Sequence, residues 1–382
     1  LAGLAGYKDI LTLDVGGTST DMSLVSDLKP QMTSQSMIEH YPVKTPMLDI
    51  VTVGTGGGSL AWIDDYENLK VGPRSSGAVP GPICYRRGGD KPTVTDAAAI
   101  LGRLPSALVG GELELDIAAA QQAYEALGRQ YNMSSEAVAA GVLEIATANM
   151  VNGIRQVTTT RGKDPSSYAL VSFGGAGGLF ATYVADFLDV VTVISPPNPG
   201  NLSAFGLHVC DVKQDYIRTL VRQKSSASEE EIEAAWVDIE ENGRRELIVE
   251  GVKKEDVQLV RSADMRYVGE GHEVNVSVPD GMIDTDAINH IWDEFHKVHF
   301  ETFGFDYRDE QDVELVNLRI QAVGEASRPS IDERETVSEI AKPSMTRDIY
   351  WREQGWVECD IYDRPTLAKD QVISGPTIIE EY

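Results

Sequence analysis

Two aspartates bracket a glycine turn near the start of the chain, in Asp14-Val15-Gly16-Gly17-Thr18-Ser19-Thr20-Asp21. Adjacent glycines admit positive φ and put no Cβ in the way, so backbone N–H groups can close around an anion, and the hydroxyls of Thr18, Ser19 and Thr20 add donors. A carboxylate repels a phosphate. Asp14 and Asp21 therefore suit another use, holding Mg²⁺ or its water shell or orienting an attacking group. The same residues also satisfy a plain hairpin, with glycine for φ and Asp and Thr for local hydrogen bonds, and the turn alone does not separate the two readings.

Other candidate chemistry is thinner. His290, His296 and His299 cluster late in the chain, and the i, i+3 pair His296/His299 could reach one ion. The nearby Asp293 and Glu294 are equally well explained as a solvated face, so a metal there is not expected. Cys84, Cys210 and Cys359 are odd in number and far apart, which gives neither a disulfide framework nor a zinc pattern; buried, inert thiols in a reducing cytoplasm are expected.

The elements that must position the turn are legible from periodicity. Leu11, Leu13 and Val15 alternate with polar residues as a strand, and a second strand begins at Met22. Leu48 to Val53 reads as another strand, feeding Gly54-Thr55-Gly56-Gly57-Gly58-Ser59, where a tight turn at a packed interface and a ligand contact are equally compatible. Gly72 to Gly89 is dense in Gly and Pro and reads as a long irregular loop of functional or interfacial type. Asp96, Asp116 and Ser134 are placed to start helices, the last running through Arg155. Tyr168 to Phe173 is a buried strand followed by Gly174-Gly175-Ala176-Gly177-Gly178, a helix near Leu179 to Leu188 and a strand at Val190 to Ile194. That is a βαβ unit, but its glycines are not spaced G-x-G-x-x-G and Ser195-Pro196-Pro197 follows the second strand, which argues against a dinucleotide site; no Walker A sequence occurs. Beyond a polar linker at Arg222 to Ser228, Ser228 to Glu231 reads as a capping box, and the second half alternates strands and helices with an antiparallel, α+β character.

With 60 acidic against 33 basic residues the formal net charge is -27, which argues against duplex nucleic acid and anionic membrane as partners. An acidic protein still binds a phosphate ligand where backbone N–H groups and a metal ion supply local positive potential. No apolar run is read as long enough to cross a bilayer. The first residue is Leu1, and Ile378 to Tyr382 is strand-like, so a longer polypeptide is expected.

Several of these segments carry a resemblance. Leu13 to Asp21 resembles the second phosphate loop of the superfamily uniting actin, sugar kinases and heat-shock ATPases, and Ser172 to Gly177 its adenosine motif. Val53 to Asp64, Val71 to Pro82, Pro92 to Ala97, Pro196 to Gly200, Leu202 to Leu207, Arg266 to Gly269 and Val316 to Arg319 resemble, in order, the hydantoinase A/5-oxoprolinase family. The chain departs from it at Gly178, where many relatives have proline, and at Phe180, where His is frequent.

The resemblance implies an α/β fold with an actin-like (ribonuclease H-like) ATPase core over residues 1–222 and a C-terminal α+β region over 223–382, without the N-terminal region that carries the first phosphate loop. It implies ATP and Mg²⁺ as cofactors, with Gly16, Gly17, Thr18 and Thr20 at the β/γ-phosphates, Asp14 and Asp21 at Mg²⁺ or the acceptor, and Gly174, Gly175, Ala176 and Gly177 at the adenosine. The implied reaction is ATP-dependent phosphorylation of a cyclic amide carbonyl for hydrolytic ring opening, with a hydantoinase B-type partner subunit. A ketone carboxylase subunit and a non-catalytic nucleotide-binding or subunit-docking body are the alternatives.

Overall fold

The structure, a computed structural model, describes residues 1–33, 36–38, 41–43, 47–308, 310–326 and 337–381. Leu11, Leu13 and Val15 alternate with Ile10, Thr12 and Asp14 along the strand Ile10–Val15, and Thr20, Met22 and Leu24 alternate with Asp21 and Ser23 along Thr20–Ser26. The two pair antiparallel with Asp14 opposite Asp21 and Val15 opposite Thr20. This register sends the apolar set to one fully buried face and the polar set to the other. Burying Leu11, Leu13, Met22 and Leu24 at about 1.5–3 kcal/mol each outweighs a like-charge cross-strand pair, which costs at most about 1 kcal/mol. Core packing thus holds two carboxylates face to face.

Ala169–Phe173 lies parallel beside Ile10–Val15, with Val193–Ile194 parallel beyond it, while Ile50–Val53 pairs antiparallel with Thr20–Ser26. The result is a six-stranded mixed sheet. The helices Ser135–Val157 and Gly177–Phe187 pack on its apolar face, with Val94–Ile100 and Ile117–Arg129 behind. Asp116 and Ser134 cap their helices as expected, accepting from the N–H groups of Ala119 (3.0 Å) and Ala137 (3.2 Å). Asp96 differs. Thr93 is the N-cap, and Asp96 sits in the first turn as its capping-box partner, fully buried. Its carboxylate accepts from Thr93 N–H (2.9 Å), Thr93 Oγ1 (2.7 Å), Ile83 N–H (3.2 Å) and Cys84 N–H (2.8 Å), so it also ties down the Gly- and Pro-rich segment.

The expectation that no segment could cross a bilayer needs correction: by length and composition Ser135–Arg161 could. In this fold its apolar residues form the centre of the first core.

The chain separates into two compact units, Leu1–Phe205 with Asp332–Tyr382, and Gly206–Ile331. The boundary expected at 222 falls inside the strand Val212–Gln223, and the linker expected at Arg222 to Ser228 is the end of that strand plus a 3-10 turn, Lys224–Ser226. Residues 337–381 form a three-stranded sheet, Met345–Trp351, Gly355–Asp363 and Thr377–Glu380, grouped with the first unit; Tyr350 N–H donates to Leu101 O (3.0 Å).

The second unit is antiparallel, in strand order Val212–Gln223, Val313–Gly324, Val257–Tyr267, Val274–Ser277, with the helices Glu229–Val249 and Thr285–Phe303 supplying its core. Ser228 is the N-cap of the first helix, but the expected capping box does not form: its hydroxyl makes no cap hydrogen bond, and Glu231 is drawn to Arg222, whose Nε donates at 2.8 Å.

His296 and His299 are core residues. Tyr307 N–H donates to the Tyr267 hydroxyl (2.8 Å), which leaves the phenol proton for His296 Nδ1 (2.8 Å). His299 bonds Phe305 O (3.0 Å) and Glu270 (3.2 Å). Among the described residues no three His, Cys, Asp or Glu side chains converge as a metal site.

Burial, and then the positive charges of Arg308 and Lys224, hold the pKa of His296 below its ordinary 6.5, against weaker opposition from Asp306 and Asp293. The unfolded chain then binds the extra proton first, so this contribution to stability is complete above pH 6.5 and is lost as the pH falls below it through the lower folded pKa. Urea unfolding followed through Trp236 and Trp292 is expected to show a lower midpoint at about pH 5.5 than at about pH 7.5, with the difference reduced in His296→Gln. The same acid loss in His296→Gln would place the sensitivity elsewhere.

Candidate functional site

The turn between the two first strands is closed by Gly16 N–H donating to Ser19 O (3.0 Å). That leaves the N–H groups of Gly17, Thr18 and Ser19 with no acceptor among the described residues, and Gly17 and Thr18 are exposed. A Cβ at Gly17 would meet nothing within 4 Å. Three such amides on one open turn suit an anion.

What holds this turn is the second glycine loop. Gly57 N–H donates to Gly16 O (3.0 Å) and Gly58 N–H to Gly17 O (2.6 Å). A Cβ on Gly56 would lie 2.6 Å from Gly16 O and 2.9 Å from Thr18 N. Gly54 to Gly58 is therefore a packed interface, resolving the alternative that periodicity left open. Thr20 is corrected by the same contacts: it is 0% exposed and its hydroxyl donates to Thr55 O (2.5 Å), so it bolts the hairpin to this loop and is closed to a ligand.

Asp14 and Asp21 face each other on the polar side of the sheet, both half-buried. Ser203 Oγ donates to Asp14 Oδ2 (2.8 Å) and Thr52 Oγ1 to Asp21 Oδ1 (2.5 Å). Each carboxylate keeps one oxygen without a donor among the described residues. Nothing in the sequence pairs Ser203 with Asp14 or Thr52 with Asp21, because the partners lie far apart along the chain.

The glycine turn after Ala169–Phe173 sits against the end of the first strand. Gly174 has φ +83°, and a Cβ there would stand 2.4 Å from both Asp14 Oδ1 and Val15 O, so only glycine fits. Its N–H donates to Pro199 O (2.9 Å), and Ala176 N–H donates to Val15 O (3.0 Å). A Cβ on Gly177 would crowd Ser172 Oγ at 2.8 Å. Of the four residues expected at the adenosine, Gly174, Ala176 and Gly177 thus serve close packing, and Gly175 faces open space, as does Gly178. Phe180 is a core side chain.

These residues fit a magnesium nucleotide. Opposed carboxylates, each with an oxygen that has no donor among the described residues, are what Mg²⁺ takes alongside phosphate and water, and the open amides of residues 17–19 suit the phosphates. A cavity of about 810 Å³ lined by Leu104, Ile117, Met345, Arg347 and Trp356 shares no residue with this constellation. The thiols are not part of it. Burial, then the Asp96 carboxylate, pushes Cys84 far up and keeps it inert, and Cys359 is buried; Cys210 is exposed, contrary to expectation.

The hydantoinase/oxoprolinase family model matches residues 1–216, and the hydantoinase/oxoprolinase C-terminal domain model matches 220–382. The caprolactamase subunit alpha of Pseudomonas jessenii is 33% identical over 98% of this chain and 55% of its own length. The solved ATP-dependent caprolactamase from that organism superposes with a TM-score of 0.75 at 32% identity, over 99% of this chain and 56% of that one. The 5-oxoprolinase of Saccharomyces cerevisiae is 28% identical over 97% of this chain and 30% of its own length. A nucleotide-free acetone carboxylase has the same fold, with a TM-score of 0.88 at 24% identity over 99% of this chain and 56% of that one. The chain spans about half the length of the first two curated relatives it matches, at 55% of each.

Proposed function

The chain belongs to the hydantoinase/oxoprolinase family, and on that premise we propose that it contributes one half of a nucleotide site to an enzyme that activates a cyclic amide carbonyl with ATP for hydrolytic ring opening. The observation that carries this is the open turn at residues 17–19, with three amides that have no acceptor among the described residues, next to two opposed carboxylates. The sheet, with its antiparallel hairpin continued on one side by parallel strands and with helices on the apolar face, supports reading the first unit as an actin-like ATPase core.

In this reading Gly17, Thr18 and Ser19 donate to phosphate oxygens and the Thr18 hydroxyl adds a donor. Asp14 and Asp21 would hold Mg²⁺, directly or through water, which neutralises charge on the phosphates. Gly175, open and without a side chain, lets the nucleoside lie against backbone. In this reading the chain's own residues bind and orient the nucleotide, and an opposing phosphate loop would complete the site. A B-type partner subunit fits the relatives named as subunits, caprolactamase alpha and acetophenone carboxylase gamma.

Two measurements test this. Calorimetry with Mg-ATP on the chain is expected to show binding without turnover; no binding would reduce it to a docking body. Substrate-dependent ATP hydrolysis by the complete protein with its partner, over cyclic amides and small ketones with and without bicarbonate, is expected to respond to a cyclic amide. A response only to ketone plus bicarbonate would overturn the amide reading in favour of carboxylation.

A further inference from the structure

We propose that residues 195–203 form the positioning element of the candidate nucleotide site and that Arg364, in the 3-10 turn that follows the strand Gly355–Asp363 of the C-terminal sheet, is the residue that clamps it. This rests on the nucleotide reading above. The segment runs Ser195-Pro196-Pro197-Asn198-Pro199-Gly200-Asn201-Leu202-Ser203. Its three prolines fix φ and remove three N–H donors, so it is stiff and richer in acceptors than in donors. Something outside must supply the missing donors.

Arg364 does. Its Nη1 donates to Pro196 O (2.7 Å), Ser195 Oγ (3.3 Å) and Glu381 Oε2 (2.8 Å), and its Nη2 donates to Ser195 O (2.7 Å). The other oxygen of Glu381 accepts from Asn198 N–H (3.1 Å), with Asn198 in the left-handed region at φ 49°. The ion pair is largely shielded, the side chains being 23% and 8% exposed. A planar fork meeting two carbonyls and a carboxylate is a task for arginine that lysine cannot reproduce.

From the clamped segment two contacts reach the site. Pro199 O accepts from Gly174 N–H (2.9 Å), which sets the glycine turn against Asp14, and Ser203 Oγ donates to Asp14 Oδ2 (2.8 Å). One stiff segment thus orients both the turn expected at the nucleoside and the carboxylate expected at the metal. Arg364 touches neither; it acts through the segment. The C-terminal strands are therefore part of the nucleotide module.

The test is Arg364→Ala in the complete protein, read in two ways. Hydrogen exchange of peptides spanning Gly174 and Asn198, measured without nucleotide, is expected to speed up at least about tenfold, since the lost bonds each hold roughly a tenfold equilibrium. The calorimetric dissociation constant for Mg-ATP is expected to rise about tenfold. Arg364→Lys keeps the charge without the fork and should move both readings the same way by less; it serves alone if the alanine variant does not fold. Arg352→Ala, in the turn between the first two strands of the same sheet, removes a surface ion pair with Glu144 of the helix Ser135–Val157 and should change neither. Unchanged exchange at Gly174 overturns the clamp. Faster exchange with unchanged Mg-ATP affinity overturns its link to the site. If the unsubstituted protein does not bind Mg-ATP at all, the nucleotide reading fails and exchange alone decides the clamp.

Discussion

Asp14→Asn in the complete protein is expected to lower substrate-dependent ATP turnover by about a hundredfold or more while leaving the melting temperature unchanged or slightly raised. The substitution is isosteric, and the amide oxygen can still accept from Ser203. Packing at Gly174 and Val15 is untouched. What disappears is one of two negative charges held opposite each other on neighbouring strands. Like charges directly opposite destabilise a sheet by up to about 1 kcal/mol, a cost that a bound cation would offset. Loss of turnover with retained or improved stability is the signature of a functional pair. Full turnover in steady-state phosphate release would sink the assignment, and a large drop in melting temperature would make Asp14 structural.

Gly56→Ala is expected to abolish Mg-ATP binding and to cost about 2–4 kcal/mol of stability. The new Cβ would be 2.6 Å from Gly16 O and 2.9 Å from both Gly17 C and Thr18 N. All three are backbone atoms, so no side chain can swing aside. Relief requires the hairpin tip to move off the loop, which breaks Gly57 N–H to Gly16 O and Gly58 N–H to Gly17 O and lets the open amides lose their alignment. Gly175→Ala is the matched control for folding, because its Cβ meets nothing within 4 Å. Denaturant unfolding and calorimetry on both variants check the prediction; wild-type nucleotide affinity in Gly56→Ala would show that the tip is not the cradle.

The sequence by itself determined those features whose physics is local. Alternation at Leu11, Leu13 and Val15 requires a strand with one apolar face, Gly16-Gly17 requires a turn, and Asp116 and Ser134 start helices by capping amides three residues on. The order of the glycine- and proline-rich segments was enough for the family. Tertiary structure decided which of those residues are open. Thr20 and Thr18 look alike in the turn, yet packing against Thr55 closes Thr20 and leaves Thr18 exposed. Gly174, Ala176 and Gly177 have the composition of a ligand turn but are spent on the strand beside them, and only Gly175 remains. Ser203 meets Asp14 across 189 residues and Arg364 meets Ser195 across 169. No period or turn preference records such pairs, because they form only when the core brings distant segments together, and for the same reason the return of the C-terminal strands to the first unit is invisible in the sequence.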